Sequence, residues 1–77
     1  MKNLSNVSIR EFRKILKKLG LVNSRNNGGH EQWSKPGMIR PITFAPHTNP
    51  MPEYVVHNNI RILGITKEEF INLLENL

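Results

Sequence analysis

The sequence has no cysteine among its 77 residues, and it has only five aromatic residues and no long apolar run. Without cysteine, neither a disulfide framework nor a thiolate metal site is available, which fits a reducing cytoplasm. Without a run of about 20 apolar residues, no membrane-spanning helix is expected, and the N-terminus has no secretion-signal pattern. A chain of this length predicts one domain, residues 1–77, with a thin hydrophobic core.

Acidic residues are also scarce, and the charges are unevenly distributed. Lys and Arg outnumber Asp and Glu by 11 to 6, which gives a net charge of +5. Residues 1–40 carry nine basic and two acidic side chains (+7), whereas residues 41–77 carry two basic and four acidic ones (−2). This asymmetry indicates a surface that faces a polyanion such as nucleic acid. A solvated basic surface is the alternative interpretation.

A capping box at Ser8 and Glu11 starts the first predicted helix, because these two side chains satisfy free backbone N–H groups. Apolar residues then recur at helical spacing until Gly20, a residue type that commonly ends a helix. The pattern predicts a helix at residues 9–19. Its other side carries no acid beyond Glu11, and its basic residues are Arg10, Arg13, Lys14, Lys17 and Lys18.

A β-hairpin is predicted directly after this helix. Residues 21–26 predict a strand, and Asn27-Gly28 predicts a tight turn that Gly29 loosens further. Residues 30–35 predict the returning strand. Its alternation places His30 on one face and Trp33 on the other, so Trp33 is predicted to be a core residue, with base stacking as the alternative.

The remaining elements complete an α+β fold. Residues 38–45 predict a third strand that lies at a sheet edge or begins after Pro41, because proline cannot donate to a β-ladder. Residues 54–63 and 67–76 predict two further helices, the second after another capping box. The order α-β-β-β-α, with an extra short C-terminal helix, is also that of double-stranded-RNA-binding domains, whose helices pack on one sheet face.

Four segments carry a resemblance to a known family: a basic first helix ending in Leu19-Gly20-Leu21, the stretch Gly28-Gly29-His30-Glu31-Gln32-Trp33, the stretch Ile42-Thr43-Phe44-Ala45-Pro46-His47, and the helix Ile60-Arg61-Ile62-Leu63-Gly64-Ile65-Thr66 followed by Glu69-Phe70. In this order and spacing they resemble the HicA family of bacterial toxins. These are small mRNA interferases whose fold is similar to that of double-stranded-RNA-binding domains. The resemblance covers nearly the whole chain and implies that fold.

The resemblance implies that His30 is the catalytic residue. A histidine can exchange a proton near neutral pH, and RNA supplies its own nucleophile in the 2′-OH, so no metal or other cofactor is expected. From the residues alone, the alternative is that His30 is only a polar residue that opens a strand. Lys14 and Lys17 on the first helix, with Arg25 and Lys35 nearer His30 in sequence, are predicted to bind RNA phosphates.

Gly28, Gly29 and His47 are predicted to support the site. The family commonly has Ser or Thr where this chain has Gly29. If that hydroxyl positions the phosphate, this chain should cleave more weakly, whereas glycine serves if the residue only shapes the turn. His57 lies between apolar residues and is predicted to be a surface or boundary residue. The three histidines lack the spacing of a zinc site, so no metal site is expected.

The sequence therefore predicts a cytoplasmic toxin that cleaves mRNA. A non-catalytic RNA-binding module of the same fold is the alternative, since the basic surface fits both functions. The resemblance also implies a HicB-like antitoxin as partner, which would mask the face that carries His30. An acidic surface on that partner is the physical expectation.

Overall fold

The computed structural model describes residues 3–77, so Lys2, counted above among the basic residues, lies outside the described part. The elements are a 3₁₀ helix at Leu4–Asn6, α1 at Ile9–Lys18, β1 at Val22–Asn27, β2 at His30–Ser34, β3 at Ile42–Phe44, α2 at Glu53–Leu63 and α3 at Lys67–Glu75. The strands form one antiparallel sheet in the order β1-β2-β3. This confirms the predicted α+β fold, similar to a double-stranded-RNA-binding domain with an extra C-terminal helix.

Both predicted capping boxes are present, and they set the starts of α1 and α3. The Ser8 hydroxyl accepts from the Glu11 amide and a Glu11 carboxylate oxygen accepts from the Ser8 amide, both at 3.0 Å. Thr66 and Glu69 form the same reciprocal pair at 3.0 and 2.9 Å. Each box satisfies N–H groups that helix geometry leaves free, so local sequence is sufficient to start these helices.

One hydrophobic core lies between the helices and one face of the sheet. Phe12 of α1 is fully buried, and its ring meets Phe44 of β3 edge to face at 5.2 Å between centroids. Phe70 of α3 lies 5.9 Å from Phe12. Trp33 is 4% exposed, which confirms its predicted core role. We call the side of the sheet that carries Trp33 and Phe44 the covered face, and the opposite side the open face.

The third strand is shorter than the predicted range 38–45. It comprises only Ile42–Phe44, which confirms the alternative prediction that it begins after Pro41. The residues before it form turns and bends, with Gly37 at a φ of +92°. Proline lacks the N–H that a ladder needs, so regular pairing with β2 starts only at the residue after it.

The hairpin turn is displaced by one residue from its predicted position. Asn27 belongs to β1 and pairs with His30, so the central turn residues are Gly28 and Gly29. Their φ values are +58° and +85°, the positive values that a tight two-residue turn requires at both central positions. The prediction that Gly29 merely loosens the turn is therefore wrong, because Gly29 occupies a position that strains any residue with a side chain.

No helix within residues 3–77 is long and apolar enough to cross a membrane.

Candidate functional site

His30 lies at the corner where the hairpin turn enters β2, and its side chain is exposed. It pairs across the ladder with Asn27 and shares its face with Gln32, two residues further along β2. Within residues 3–77 its imidazole makes no hydrogen bond or ion pair. The covered face, by contrast, holds the buried Trp33. The imidazole is therefore accessible to a ligand on the open face, and the fold does not depend on its contacts.

A cleft of about 250 Å³ lies where the hairpin turn approaches the loop after β3. His30 and His47 both line this cleft, together with Gly28, Gly29 and Pro46. Four residues that were predicted to form or support the site are thus brought together, although 17 positions in sequence separate the two histidines. Two imidazoles at one cleft are suited to proton transfer, since one can accept a proton while the other donates one.

The loop that carries His47 is held by hydrogen bonds to the N-terminal segment. The Met51 amide donates to the Val7 carbonyl at 2.8 Å, and the Asn49 side-chain oxygen accepts from the amide of Ile9 at 3.1 Å. Val7 and Met51 are both buried. These contacts join the loop to the start of α1, so His47 is placed by tertiary contacts rather than by its own strand or helix.

An extra residue in β1 decides which face Arg25 occupies. The register of the β1–β2 pairing shifts between Asn23 and Arg25, which leaves Ser24 as a bulge, with its hydroxyl 3.2 Å from the Gln32 carbonyl. Arg25 consequently pairs with Gln32 and shares the open face. Without the bulge, Arg25 would stand opposite Glu31 on the covered face, because successive residues of a strand alternate.

The four predicted phosphate-binding residues occupy different places. Arg25 is exposed on the open face, diagonally across the ladder from His30. Lys14 and Lys17 are exposed on the outer side of α1, which packs on the covered face, so the sheet lies between them and His30. Lys35 follows the far end of β2, and its ammonium group lies 2.9 Å from the Leu19 carbonyl at the end of α1.

A buried carboxylate lies next to the candidate histidine in sequence but on the covered face. Glu31 is 7% exposed, and its Oε1 accepts from Trp33 Nε1 at 3.0 Å, Arg13 Nε at 3.2 Å and Asn23 Nδ2 at 3.4 Å. Arg13 Nη2 also contacts the second carboxylate oxygen. The hydrogen bonds from Arg13 lower the pKa of Glu31, an effect that burial opposes and the Trp33 indole reinforces.

This network gives an acidic partner to one of the basic residues on the polar side of α1. Arg13 is paired with Glu31, and the same hydrogen bond raises the pKa of Arg13. Lys18 donates to the Asn76 carbonyl at 3.1 Å. The pattern of α1 could not reveal either partner, because both lie elsewhere in the sequence. Arg10, Lys14 and Lys17 remain exposed on α1.

His57 stands on α2 at the boundary of the surface, as predicted. Its Nε2 lies 3.5 Å from a carboxylate oxygen of Glu53, four residues earlier on the same helix, and its side chain is 42% exposed. Among residues 3–77, no three His, Asp or Glu side chains converge in a way that could hold a metal ion. His57 also takes no part in the cleft between His30 and His47.

A second groove, of about 310 Å³, adjoins the other side of His30 and was not predicted. It runs between β3 and the first turn of α2, and its walls include Thr43, Ala45, Tyr54 and Val55. The sequence contained one signal for it. Tyr54 follows a proline-rich loop and lies outside the apolar pattern that accounts for the buried side of α2.

Comparison with known families shows which family the chain belongs to. Residues 9–65 match the family model described as the HicA toxin of bacterial toxin–antitoxin systems, which is more than half of the chain. The matched region contains α1, the whole sheet and α2, together with His30, Arg25 and His47. Searches among curated proteins and among solved structures gave no match. The matched region therefore includes the complete cleft, whereas α3 lies outside it.

Proposed function

Because the chain belongs to the HicA family and is the toxin of a toxin–antitoxin pair, we propose that it is an endoribonuclease that cleaves mRNA with His30 as catalytic residue. One observation carries the proposal: the exposed imidazole of His30 lines a cleft with a second histidine, His47. The cleft adjoins an open sheet face on which Arg25 supplies positive charge. These are the groups that metal-free RNA cleavage needs.

In the proposed reaction the 2′-OH of one nucleotide attacks the adjacent phosphorus. The hydroxyl proton passes to a base as the new oxygen–phosphorus bond forms, and the bond to the 5′-oxygen of the next nucleotide breaks as that oxygen gains a proton. The products carry a 2′,3′-cyclic phosphate and a 5′-OH. His30 performs one of these proton transfers, and His47 across the cleft supports the other. Because RNA provides the nucleophile, the reaction requires no metal or cofactor.

Positive charge must offset the charge that develops on the phosphate in the transition state. Arg25 has the suitable position, since its guanidinium projects from the open face near His30 and can bind two phosphate oxygens at once. Lys14 and Lys17 would hold RNA that passes around the molecule to the outer side of α1. Lys35 would contact the RNA beyond the far end of β2. One of its three ammonium N–H groups donates to the Leu19 carbonyl, and the others can donate to a phosphate.

The proposed partner is a HicB-like antitoxin that masks the face carrying His30. Arg25 on that face favours an acidic complementary surface. Such a partner would block the cleft directly and would keep RNA from Arg25 on β1. In this proposal the toxin acts in the cytoplasm, on mRNA.

A non-catalytic RNA-binding module is the second candidate, and one observation favours it. The His30 imidazole has no hydrogen-bond partner within residues 3–77 that would fix its tautomer or orientation, whereas catalytic histidines are commonly oriented by a second group. In that case His30 would be a polar contact to RNA, and the open face would bind without cleaving.

Cleavage of single-stranded RNA by the purified protein separates the two candidates. We expect fragments that end in 2′,3′-cyclic phosphates. The cleavage rate should be the same in the presence and absence of EDTA, and His30→Ala should not cleave. His57→Ala is the matched control, since it removes a histidine outside the cleft. Both variants should retain the wild-type circular dichroism spectrum. Equal cleavage by His30→Ala and the control would refute the catalytic assignment.

A further inference from the structure

Tyr54 is the only one of the five aromatic residues that takes no part in the core. The three phenylalanines and Trp33 are all at most 4% exposed, whereas Tyr54 is 70% exposed. It lies in the first turn of α2, and the buried side of this helix is formed by other residues, among them Val56 and Ile60. Core packing therefore does not account for an aromatic ring at this position.

The groove beside Tyr54 has both apolar walls and hydroxyl groups. Ala45 and Val55 contribute apolar surface, and two residues that carry hydroxyls, Thr43 and Thr48, line the same groove. An aromatic ring with hydroxyl groups nearby suits a flat heteroaromatic ligand, because the ring stacks on one side and hydroxyls can donate or accept at the edge. Nucleobases of single-stranded RNA are ligands of this kind.

His30 joins this groove to the proposed cleavage site. His30 lines the groove with Tyr54 and also the cleft with His47. A phosphate at His30 would be flanked by two nucleotides, and the base of one of them would rest on the surface immediately beside the imidazole. The groove is the depression on the α2 side of His30, so it can receive that base.

We propose that the groove between β3 and α2 is a nucleobase-binding subsite, in which a base next to the scissile phosphate stacks on Tyr54. The assignment rests on the proposed function, because that function places the phosphate at His30. It adds a specificity site, since the hydroxyls of Thr43 and Thr48 contact the base edge. Stacking accepts any base, so discrimination between bases comes from these hydroxyls.

The test measures binding of fluorescein-labelled single-stranded 2′-O-methyl RNA, which lacks the nucleophile and stays intact. We expect Tyr54→Ala to weaken binding by about 5- to 150-fold, the range for loss of one stacked base, and Tyr54→Phe to stay within about twofold. Ile39→Ala is the matched control. Ile39 is fully exposed, but it lines a separate groove that reaches the C-terminal part of α2.

A series of oligonucleotides with one abasic position each then locates the base. At one position, removal of the base should weaken binding to the wild type much more than binding to Tyr54→Ala, which retains only the contacts of Thr43 and Thr48 to that base. The subsite is overturned if Tyr54→Ala binds like Ile39→Ala, or if every abasic position affects both proteins equally. In that case the groove would serve another occupant, such as a side chain of the antitoxin.

Failure of the subsite and failure of the proposed function give different results. If the protein cleaves RNA but Tyr54→Ala binds the oligonucleotide as tightly as the wild type, the subsite is wrong and the proposed endonuclease activity stands. If it binds with the Tyr54 dependence but cleaves nothing, the subsite stands and the endonuclease is wrong. If it binds no oligonucleotide at all, both are wrong.

Discussion

The open and covered faces of β2 differ sharply, although one peptide bond joins His30 to Glu31. His30 is exposed and lacks a side-chain partner within residues 3–77. Glu31 is buried and accepts hydrogen bonds from Arg13, Asn23 and Trp33. The open face thus carries an exposed side chain without partners, while the covered face joins α1 to the sheet. A strand separates these roles because successive side chains alternate.

This separation has a physical basis in a chain of only 77 residues. A chain of this length has a small core and therefore a small free energy of unfolding. The stabilising contacts are concentrated on the covered face, and a side chain that is accessible to a ligand on the open face contributes little to them. Substitutions on the open face should therefore change activity without changing stability. Substitutions on the covered face should do the reverse.

The largest effect is expected for His30→Ala. Loss of a proton-transfer group should slow RNA cleavage by about 10²- to 10⁴-fold. The free energy of unfolding should change by no more than about 0.5 kcal/mol, because an exposed side chain without partners is removed. Single-turnover cleavage and urea denaturation of the same preparation measure both quantities. A large loss of stability would contradict the inference that open-face side chains contribute little to the free energy of unfolding.

His47→Ala should slow cleavage by about 10²-fold, the lower end of the range for proton-transfer groups. His47 is exposed in its loop, and the contacts that hold the loop come from Met51 and Asn49, so stability should be unaffected. Single-turnover cleavage measures the effect. A rate equal to that of the wild type would show that His47 only lines the cleft.

Glu31→Gln tests the covered face. The variant keeps the shape of the side chain but replaces the charge-assisted bonds to Arg13, which should lower the free energy of unfolding by about 1–3 kcal/mol. Cleavage below the unfolding temperature should stay close to that of the wild type. Urea denaturation and the cleavage assay measure the two effects. A loss of cleavage with unchanged stability would reverse the roles assigned to the two faces.

The same variant gives a pH dependence of defined sign. Arg13 lowers the pKa of Glu31 in the folded protein, so the folded state favours the ionised carboxylate. Its contribution is therefore fully present above the pKa of the unfolded chain and is lost as the pH falls through the lower, folded pKa. The difference in unfolding free energy between wild type and Glu31→Gln should shrink on acidification. A difference that grows at acid pH would contradict the assigned ion pair.

Arg25 and the lysines of α1 divide the predicted phosphate contacts between the two sides of the sheet. Arg25→Ala should weaken the binding of both a short oligonucleotide at the hairpin corner and a long RNA. It should also reduce the slope of the logarithm of the binding constant against the logarithm of the salt concentration by about 0.7. A Lys14→Ala/Lys17→Ala double variant should affect only the long RNA. Fluorescence anisotropy across a salt series measures both. If the double variant weakens binding of the short oligonucleotide as much as Arg25→Ala does, RNA contacts α1 close to His30.

The smallest effects are expected at Gly29. Its φ of +85° strains any side chain, so Gly29→Ala and Gly29→Ser should each cost about 1 kcal/mol of stability. An added Cβ meets no atom within 4 Å, so no steric clash adds to this cost. Comparing the two variants isolates the hydroxyl. Faster cleavage by the serine variant would show that the hydroxyl positions the phosphate, and equal rates would show that the residue shapes only the turn.

Local signals in the sequence were sufficient for most of the fold. The capping boxes at Ser8 and Thr66 and the glycines after α1 and α2 predicted helix ends to within a residue or two, because these interactions join neighbours along the chain. The prediction of the turn missed by one residue. Asn27-Gly28 and Gly28-Gly29 both suit a tight turn, and the pairing of Asn27 with His30 selects the second.

The sequence by itself determined the order of elements, the starts of α1 and α3, the alternation that separates His30 from Trp33, and the family through its motifs. Tertiary structure decided which residues meet at the candidate site. The bulge at Ser24 turned Arg25 to the open face, Glu31 withdrew Arg13 from the basic surface, and the loop after β3 brought His47 to His30. These outcomes depend on contacts between residues distant in sequence, which local periodicity and spacing do not encode.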